Sequence, residues 1–180
     1  MKQFDGFDSA KHRPTRIGGE LAYYHLEDWW LSALTIAERR AIKEACGPML
    51  TQGTYLGSFN GPDEPVSAAE FLATMASSFE GPDGISLAVK MADKARSLLD
   101  CQSEVVTALG RHFAYSHIIH IYYITRREPG HLGVLLDACS KQIAMAPDAA
   151  KARTRHPEFK MMGHAGFALM ATAAERHLEA

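Results

Sequence analysis

The chain has 180 residues, of which 47% are hydrophobic and 22% are charged, and its formal net charge is -2 at pH 7. These values are ordinary for a globular protein, so they argue against wholesale disorder, and the charge gives no general attraction to nucleic acid. No apolar run approaches the roughly 20 residues of a membrane-spanning helix and the first residues are polar, so we expect neither a membrane partner nor a secretory signal. Three widely separated cysteines predict reduced thiols in a cytoplasmic protein: Cys46, Cys101 and Cys139.

The first 20 residues are polar and include four lysine or arginine side chains, three glycines and a proline. We predict that residues 1–20 form a flexible N-terminal arm, since chain ends of this composition are poorly ordered unless a partner fixes them. The remaining residues, 21–180, are predicted to form a single all-helical domain.

An aromatic cluster lies at the start of this domain. The first predicted helix spans residues 26–34 and carries Trp29 and Trp30, whose side chains would point about 100° apart on a helix. The two side chains therefore cannot both enter one core. One of them is expected to cap a neighbouring hairpin or to contact a partner. Together with Tyr23 and Tyr24 they are candidate interaction residues, because aromatic side chains of this kind are favoured anchors at interfaces. The alternative is that they anchor the domain internally.

A capping box predicts the start of the next helix. Thr35 is a favourable N-cap residue, and Glu38 follows three residues later, as the motif requires. The helix is expected to cover residues 36–46. Gly47 and Pro48 are expected to end it, because glycine is favoured just after a helix and proline cannot continue one.

A second capping box follows the longest predicted loop, residues 47–66, which is rich in glycine and proline. Ser67 and Glu70 begin a helix whose apolar residues recur at the spacing of a buried stripe. These residues are Phe71, Leu72, Met75, Ala76 and Phe79. A turn at residues 81–84 leads to a further amphipathic helix over residues 85–99.

The most apolar part of the chain is predicted to be a helical hairpin. Its first helix spans residues 104–125, is capped by Ser103 and is buried on most sides. A Pro-Gly break at residues 129–130 separates it from a second, amphipathic helix over residues 131–146. Pro147 is expected to end that second helix.

The C-terminal part is predicted to contain a short helical piece at residues 148–155 and a last helix at residues 163–178. This last helix would bury Phe167, Met170 and Ala174, and it is a candidate dimerisation or capping element. No segment has the length and alternation of a convincing strand. The sequence therefore predicts an all-α fold of seven or eight helices, arranged as antiparallel hairpins stacked into a short α-α superhelix or an irregular bundle.

Residues 135–147, LLDACSKQIAMAP, resemble the second helix of a tetratricopeptide repeat with its closing proline. With the preceding helix, the resemblance covers residues 104–147. The pattern departs from the repeat because Cys139 occupies its usual aromatic position and the preceding helix is too long for a 34-residue period. The resemblance implies stacked helical hairpins with a concave protein-binding surface.

Four polar or aromatic residues form a stripe on the long helix. At 100° per residue, His112, Ser116, His120 and Tyr123 fall within an arc of about 80°. Histidines titrate and bind ligands near neutral pH, so one interpretation is a ligand-binding or catalytic groove. The other is an exposed or half-exposed helix face on which the polar atoms make ordinary hydrogen bonds.

No motif predicts a metal site, a cofactor or a catalytic nucleophile. His117 and His120 could face one ion, but His112 and His120 are roughly 12 Å apart along the helix axis, and the helix has no further metal ligand between its histidines. The chain has no P-loop, dinucleotide fingerprint or HExxH motif. Residues 34–42 resemble the first helix of some helix-turn-helix domains, but a glycine-rich loop follows instead of a recognition helix, so we expect no nucleic-acid partner.

These observations favour a non-enzymatic helical module that binds another protein or a second copy of itself. The physical basis is the succession of amphipathic hairpins and the aromatic surplus near the N-terminus. The alternative hypothesis is a helical-bundle enzyme, or a binder of a small ligand or metal, that uses His112, Ser116, His120 and Tyr123.

Overall fold

The computed structural model describes residues 19–51, 66–101, 106–154 and 165–178. Within these ranges the chain forms eight α-helices and one 3₁₀ turn and no strand, which confirms the predicted all-α class. The helices are α1 Glu20–Tyr23, α2 Glu27–Ser32, α3 Ile36–Thr51, α4 Ala68–Ala76, α5 Ile85–Asp100, α6 Ala108–Ile124, α7 His131–Thr154 and α8 Ala165–Leu178. The 3₁₀ turn, Ser77–Phe79, follows α4 directly.

Helix α6 lies at the centre of the molecule. It packs against α4 and α5 on one side and forms the predicted hairpin with α7 on the other, while α8 lies against both α7 and α6. Most of its residues are buried, including the polar His112 and Ser116. Most of the buried apolar side chains from Leu21 to Cys139 form one continuous cluster. No helix among the described residues is both long and apolar enough to cross a membrane.

Both predicted capping boxes are present. The Thr35 hydroxyl accepts a hydrogen bond from the Glu38 amide at 3.2 Å, and Glu38 accepts one from the Thr35 amide at 2.7 Å. Ser67 and Glu70 make the same reciprocal pair at the start of α4. Every predicted stripe residue of that segment is buried, from Phe71 to Phe79. A local sequence pattern is enough to place these helix starts because the bonds that define them are local.

The structure corrects two predicted helix ends, each placed at a proline. Helix α3 continues through Gly47 and Pro48 to Thr51, and α7 continues through Pro147 to Thr154, so the predicted helical piece at residues 148–155 belongs to α7. The fixed φ of proline lies within the helical range, but an interior proline costs about 3 kcal/mol, because one hydrogen bond is lost and the ring clashes with the carbonyl four residues before it. In α7, Ala146 before the proline and Ala149 after it are both buried, so tertiary packing favours the continued helix.

The start of the long helix was also predicted wrongly. Helix α6 begins at Ala108 rather than at residue 104, because the Thr107 hydroxyl caps it by accepting a hydrogen bond from the Gly110 amide at 3.0 Å. The predicted cap, Ser103, lies outside the described residues. So do residues 1–18 of the predicted arm and residues 52–65 of the predicted loop.

The two ends of the described chain differ from the prediction in detail. Helix α2 lies within the predicted residues 26–34, but the short α1 before it was not predicted, and His25 joins the two at a φ of 54°. At the other end α8 begins at Ala165. Phe167, which was predicted to be buried, is 48% exposed, whereas Met170 is partly buried against the core. The predicted burial of Ala174 lies outside the described side chains.

The close approach of α4 and α6 depends on a glycine. The Glu70 carboxylate is buried and accepts hydrogen bonds from the Ser67 amide at 3.0 Å and the Ser67 hydroxyl at 2.9 Å. Gly110, in the first turn of α6, passes so near that a Cβ atom built on it would overlap this carboxylate. Since the capping box fixes the carboxylate, the side chain cannot easily move aside.

We therefore expect Gly110→Ala to lower the free energy of unfolding by about 1–3 kcal/mol, the usual cost of overpacking a tight site. The matched control is Gly133→Ala in α7, where a new Cβ would meet nothing within 4 Å. That substitution should be neutral or stabilising by up to about 1 kcal/mol, because it reduces the freedom of the unfolded chain. Urea denaturation measures both effects, and equal stabilities for the two variants would contradict the proposed overlap.

Candidate functional site

The predicted stripe on α6 is divided between the core and the surface. His112 and Ser116 are only 3% and 5% exposed, whereas Tyr123 is 40% exposed and His120 also lies on the surface. The four side chains therefore do not line one common groove. Neither interpretation made from the sequence describes the whole stripe, because its first half faces the neighbouring helices and its second half faces solvent.

Gln142 of α7 joins the buried half of the stripe to two other helices. Its side-chain amide nitrogen donates to the Ser116 hydroxyl at 2.7 Å and to the His112 carbonyl at 3.3 Å. Its side-chain oxygen accepts a hydrogen bond from the Gly166 amide of α8 at 2.8 Å. Gln142 is 1% exposed. A single buried amide thus connects α6, α7 and α8, which makes this half of the stripe a structural network.

Two histidines of α6, His117 and the stripe residue His120, contact different partners. His117 Nδ1 lies 2.7 Å from the Ser77 hydroxyl, and His120 Nε2 lies 3.1 Å from the Glu80 carboxylate. Burial lowers the pKa of His117, the Glu80 carboxylate acts in the opposite direction, and the His120 ring adds to the lowering. The ring is therefore held in its neutral form, which suits a hydrogen bond with a hydroxyl.

A serine hydroxyl beside an imidazole is the first requirement of nucleophilic catalysis. The second is a group that hydrogen-bonds to the imidazole and orients it, and among the described residues none does so for His117 other than Ser77 itself. Within the same part of the chain, no group of three or more His, Cys, Asp or Glu side chains has the geometry to hold a metal ion. His117 and His120 thus connect α6 to the segment after α4.

The end of the α6–α7 hairpin exposes aromatic and apolar side chains. Arg126 lies over the ring of Tyr123, with its guanidinium carbon 4.2 Å from the ring centre. His131 Nδ1 lies 2.8 Å from the Thr125 hydroxyl, and its ring packs edge-on against the ring of Tyr122. These contacts connect the two helices across the turn between them.

The N-terminal aromatic cluster is partly internal. Trp30 is 3% exposed and Trp29 packs against the core with part of its surface open, which agrees with the expectation that only one tryptophan could enter the core. The Tyr24 ring packs on Phe71 of α4 at 4.9 Å between ring centres. Tyr23 is 54% exposed.

A single arginine supports this corner of the fold. One guanidinium nitrogen of Arg39 lies within 3.2 Å of the carbonyl oxygens of Trp30, Leu31 and Leu34. It satisfies carbonyl groups at and after the end of α2, where the helix provides no further donors. This contact ties α2 to α3.

Sequence reasoning missed the two polar residues on which the interior depends most, Gln142 and Glu70. A signal for Gln142 was present, because it lies in the same register on α7 as the buried Leu135, Ala138 and Ala146. A long polar side chain in a buried register indicates an internal hydrogen-bond network. For Glu70 the capping box was recognised, but no pattern in the sequence indicated that α6 would cover it.

Comparison with known proteins gave no match: no protein-family description, no curated protein and no solved structure is similar to this chain.

The network around Gln142 predicts a large loss of stability when its side chain becomes apolar. Gln142→Leu would leave the buried Gly166 amide without its acceptor, a loss that costs about 1–3 kcal/mol. It would also remove the donor to the Ser116 oxygen, although the Ser116 hydroxyl keeps its own bond to the His112 carbonyl at 3.1 Å. We expect the free energy of unfolding to fall by about 2–4 kcal/mol in urea denaturation. Ser140→Ala, on the exposed side of the same helix, should change it by less than about 0.5 kcal/mol. A Gln142→Leu variant as stable as the control would show that the network is dispensable.

The lowered pKa of His117 predicts that acid destabilises the fold. When pH falls below the ordinary histidine pKa of about 6.5, the unfolded chain binds a proton that the folded chain resists, so the contribution of this group to stability is lost with decreasing pH. Denaturation at several pH values from 7 to 5 should therefore show a smaller decline in His117→Gln than in the parent protein. His25→Asn, which removes an exposed imidazole, is the control and should retain the parent slope. An unchanged slope in His117→Gln would contradict this assignment.

Proposed function

We propose that this protein is a non-enzymatic helical module that works by binding another protein or a second copy of itself. The observation that carries the proposal is a surface at the end of the α6–α7 hairpin where four large apolar or aromatic side chains are exposed. We call it the hairpin-end surface, and it consists of Tyr123, Ile124, Leu132 and Leu136.

The two leucines lie on the same side of α7. Leu132 is 53% exposed and Leu136 is 38% exposed, and residues four apart on a helix are neighbours one turn apart. Tyr123 and Ile124, each 40% exposed, end the facing helix. The contact between His131 and Thr125 brings the two helix ends together, so the four side chains are carried by one end of the hairpin.

This composition supports recognition of a protein. Clustered exposed apolar side chains mark interaction surfaces more often than single ones do, and tyrosine and arginine are enriched at the centres of interfaces. The stacking of Arg126 on Tyr123 supplies both types at the edge of the hairpin-end surface. A second copy of the chain is a suitable partner, because a two-fold axis would place the same apolar patch on both sides of the interface.

The competing hypothesis, an enzyme or ligand binder that uses His112, Ser116, His120 and Tyr123, has less support. Two of these side chains are buried beside Gln142, and the other two lie on the surface with different neighbours. A small molecule at one place would therefore not contact all four.

The proposal also includes a resemblance to a family of helical repeats and a cellular location. The likeness of residues 104–147 to tetratricopeptide repeats is compatible with a protein-binding role. The three cysteines Cys46, Cys101 and Cys139 are free, as in proteins of reducing compartments, and this supports a cytoplasmic location.

Self-association through the hairpin-end surface can be tested with charge substitutions. Light scattering coupled to size-exclusion chromatography should give a defined oligomer for the parent protein. Leu136→Glu should weaken the association at least about tenfold, because burial of a leucine side chain contributes about 1.5–3 kcal/mol. The matched control is Ile36→Glu, since Ile36 is 71% exposed at the start of α3 and lies outside the hairpin-end surface.

Circular dichroism should show that both variants remain helical. If the parent protein is a strict monomer and captures no stoichiometric protein partner, the proposed function is wrong. If Ile36→Glu and Leu136→Glu weaken association equally, the hairpin-end surface is not the interface.

A further inference from the structure

A cleft of about 370 Å³ lies beside the polar stripe, on an adjoining face of α6. The end of α5, the first half of α6 and the middle of α7 form its walls. Its lining combines apolar and charged side chains: Leu99, Asp100, Arg111, Tyr115, Lys141, Ala144, Met145 and Asp148. A concave site with an apolar lining and a few polar groups is the usual form of a small-ligand site.

Tyr115 is the first indication that this cleft has an occupant. The residue is only 2% exposed, yet no hydrogen bond reaches its hydroxyl from any of the described residues. The hydroxyl is not fully enclosed by the described residues. A buried tyrosine normally finds a hydrogen-bond partner, and the Tyr115 side chain is part of the lining of the cleft.

Arg111 is the second indication. Its guanidinium group donates one hydrogen bond, to the Leu99 carbonyl at 3.2 Å, and no carboxylate among the described residues pairs with it. It lies one turn before Tyr115 on α6, so both side chains project toward the same region. Guanidinium N–H groups and a phenol hydroxyl are donors, and together they suit an anionic oxygen acceptor.

The remaining charges of the cleft already have partners. Lys141 binds Asp100 at 2.8 Å and Asp137 at 2.9 Å, and Asp148 lies 3.4 Å from Lys151. Burial acts to lower the pKa of Lys141, but the hydrogen bonds to the two aspartates raise it above its ordinary value, so the lysine stays charged and paired. Within the described lining, Arg111 is therefore the cation that remains for a ligand.

We propose that this cleft binds a small organic acid with a single carboxylate and an apolar body. The carboxylate accepts hydrogen bonds from Arg111 and Tyr115, and the apolar body lies against Leu99, Ala144 and Met145. The carboxylates of Asp100 and Asp148 at the same cleft disfavour a dianion such as inorganic phosphate, because they repel added negative charge.

Calorimetric titration of the full chain with benzoate and hexanoate tests the proposal. We expect saturable binding at millimolar concentrations of at least one of these acids and at least tenfold weaker binding of benzyl alcohol, hexanol and inorganic phosphate. Tyr115→Phe, which keeps the packing of the ring, should weaken binding of the acid about 3- to 10-fold, the effect of one hydrogen bond. Arg111→Gln should weaken it at least about tenfold, because a charged donor is lost.

The control variant is Arg40→Gln, since Arg40 is an exposed arginine of α3 outside the cleft, and it should bind the acid as the parent protein does. Melting temperatures of all variants identify any that fail to fold, and Tyr115→Phe keeps the test decisive if Arg111→Gln does not. The proposal is overturned if neither acid binds, if the matched alcohols or phosphate bind as well as the acids, or if Tyr115→Phe binds the acid unchanged.

Discussion

Helix α6 is enclosed by α4, α5, α7 and α8 along most of its length. The polar side chains on its buried surface therefore need hydrogen-bond partners on the neighbouring helices. Ser116 is met by Gln142, and the Tyr122 hydroxyl donates to Asp93 of α5. The Glu70 carboxylate completes the cap of α4 at the place where α6 crosses closest. The neighbouring helices therefore supply hydrogen-bond partners to these polar groups, and the Tyr115 hydroxyl differs because no residue in the described part of the chain bonds to it.

Most of the fold could be predicted from the sequence because its elements are defined by local interactions. Capping boxes at Thr35 and Ser67 depend on residues three positions apart, and both are present as expected. The apolar spacing of α4 identified its buried face, since burial in a bundle follows the helical period. The Pro-Gly turn at residues 129–130 separated α6 from α7 correctly, where Gly130 adopts a φ of 83° that few other residues tolerate.

The candidate site could be predicted only in part, because it depends on contacts between distant segments. A helical wheel placed His112 and His120 on one side of α6, but it carries no information on where α7 and α8 cover that side and where they do not. The same limit applies to Arg111 and Tyr115, whose significance comes from their joint place in the lining of a cleft formed by three helices. Likewise, Pro147 was taken as the end of α7 because the unfavourable effect of proline on a helix depends on the local backbone. The burial of Ala149 after the proline depends on contacts with distant parts of the chain.

The proline inside α7 has a mechanical consequence for the cleft beside it. Pro147 has no N–H, so the Ile143 carbonyl receives no helical hydrogen bond from it. A bend at this point therefore breaks one hydrogen bond fewer than a bend elsewhere in α7. Ala144 lies before this point and Asp148 after it, and both belong to the wall of the cleft. A bend at Pro147 would therefore change the width of the opening, while the buried amide of Gln142 holds the preceding part of the helix against α6.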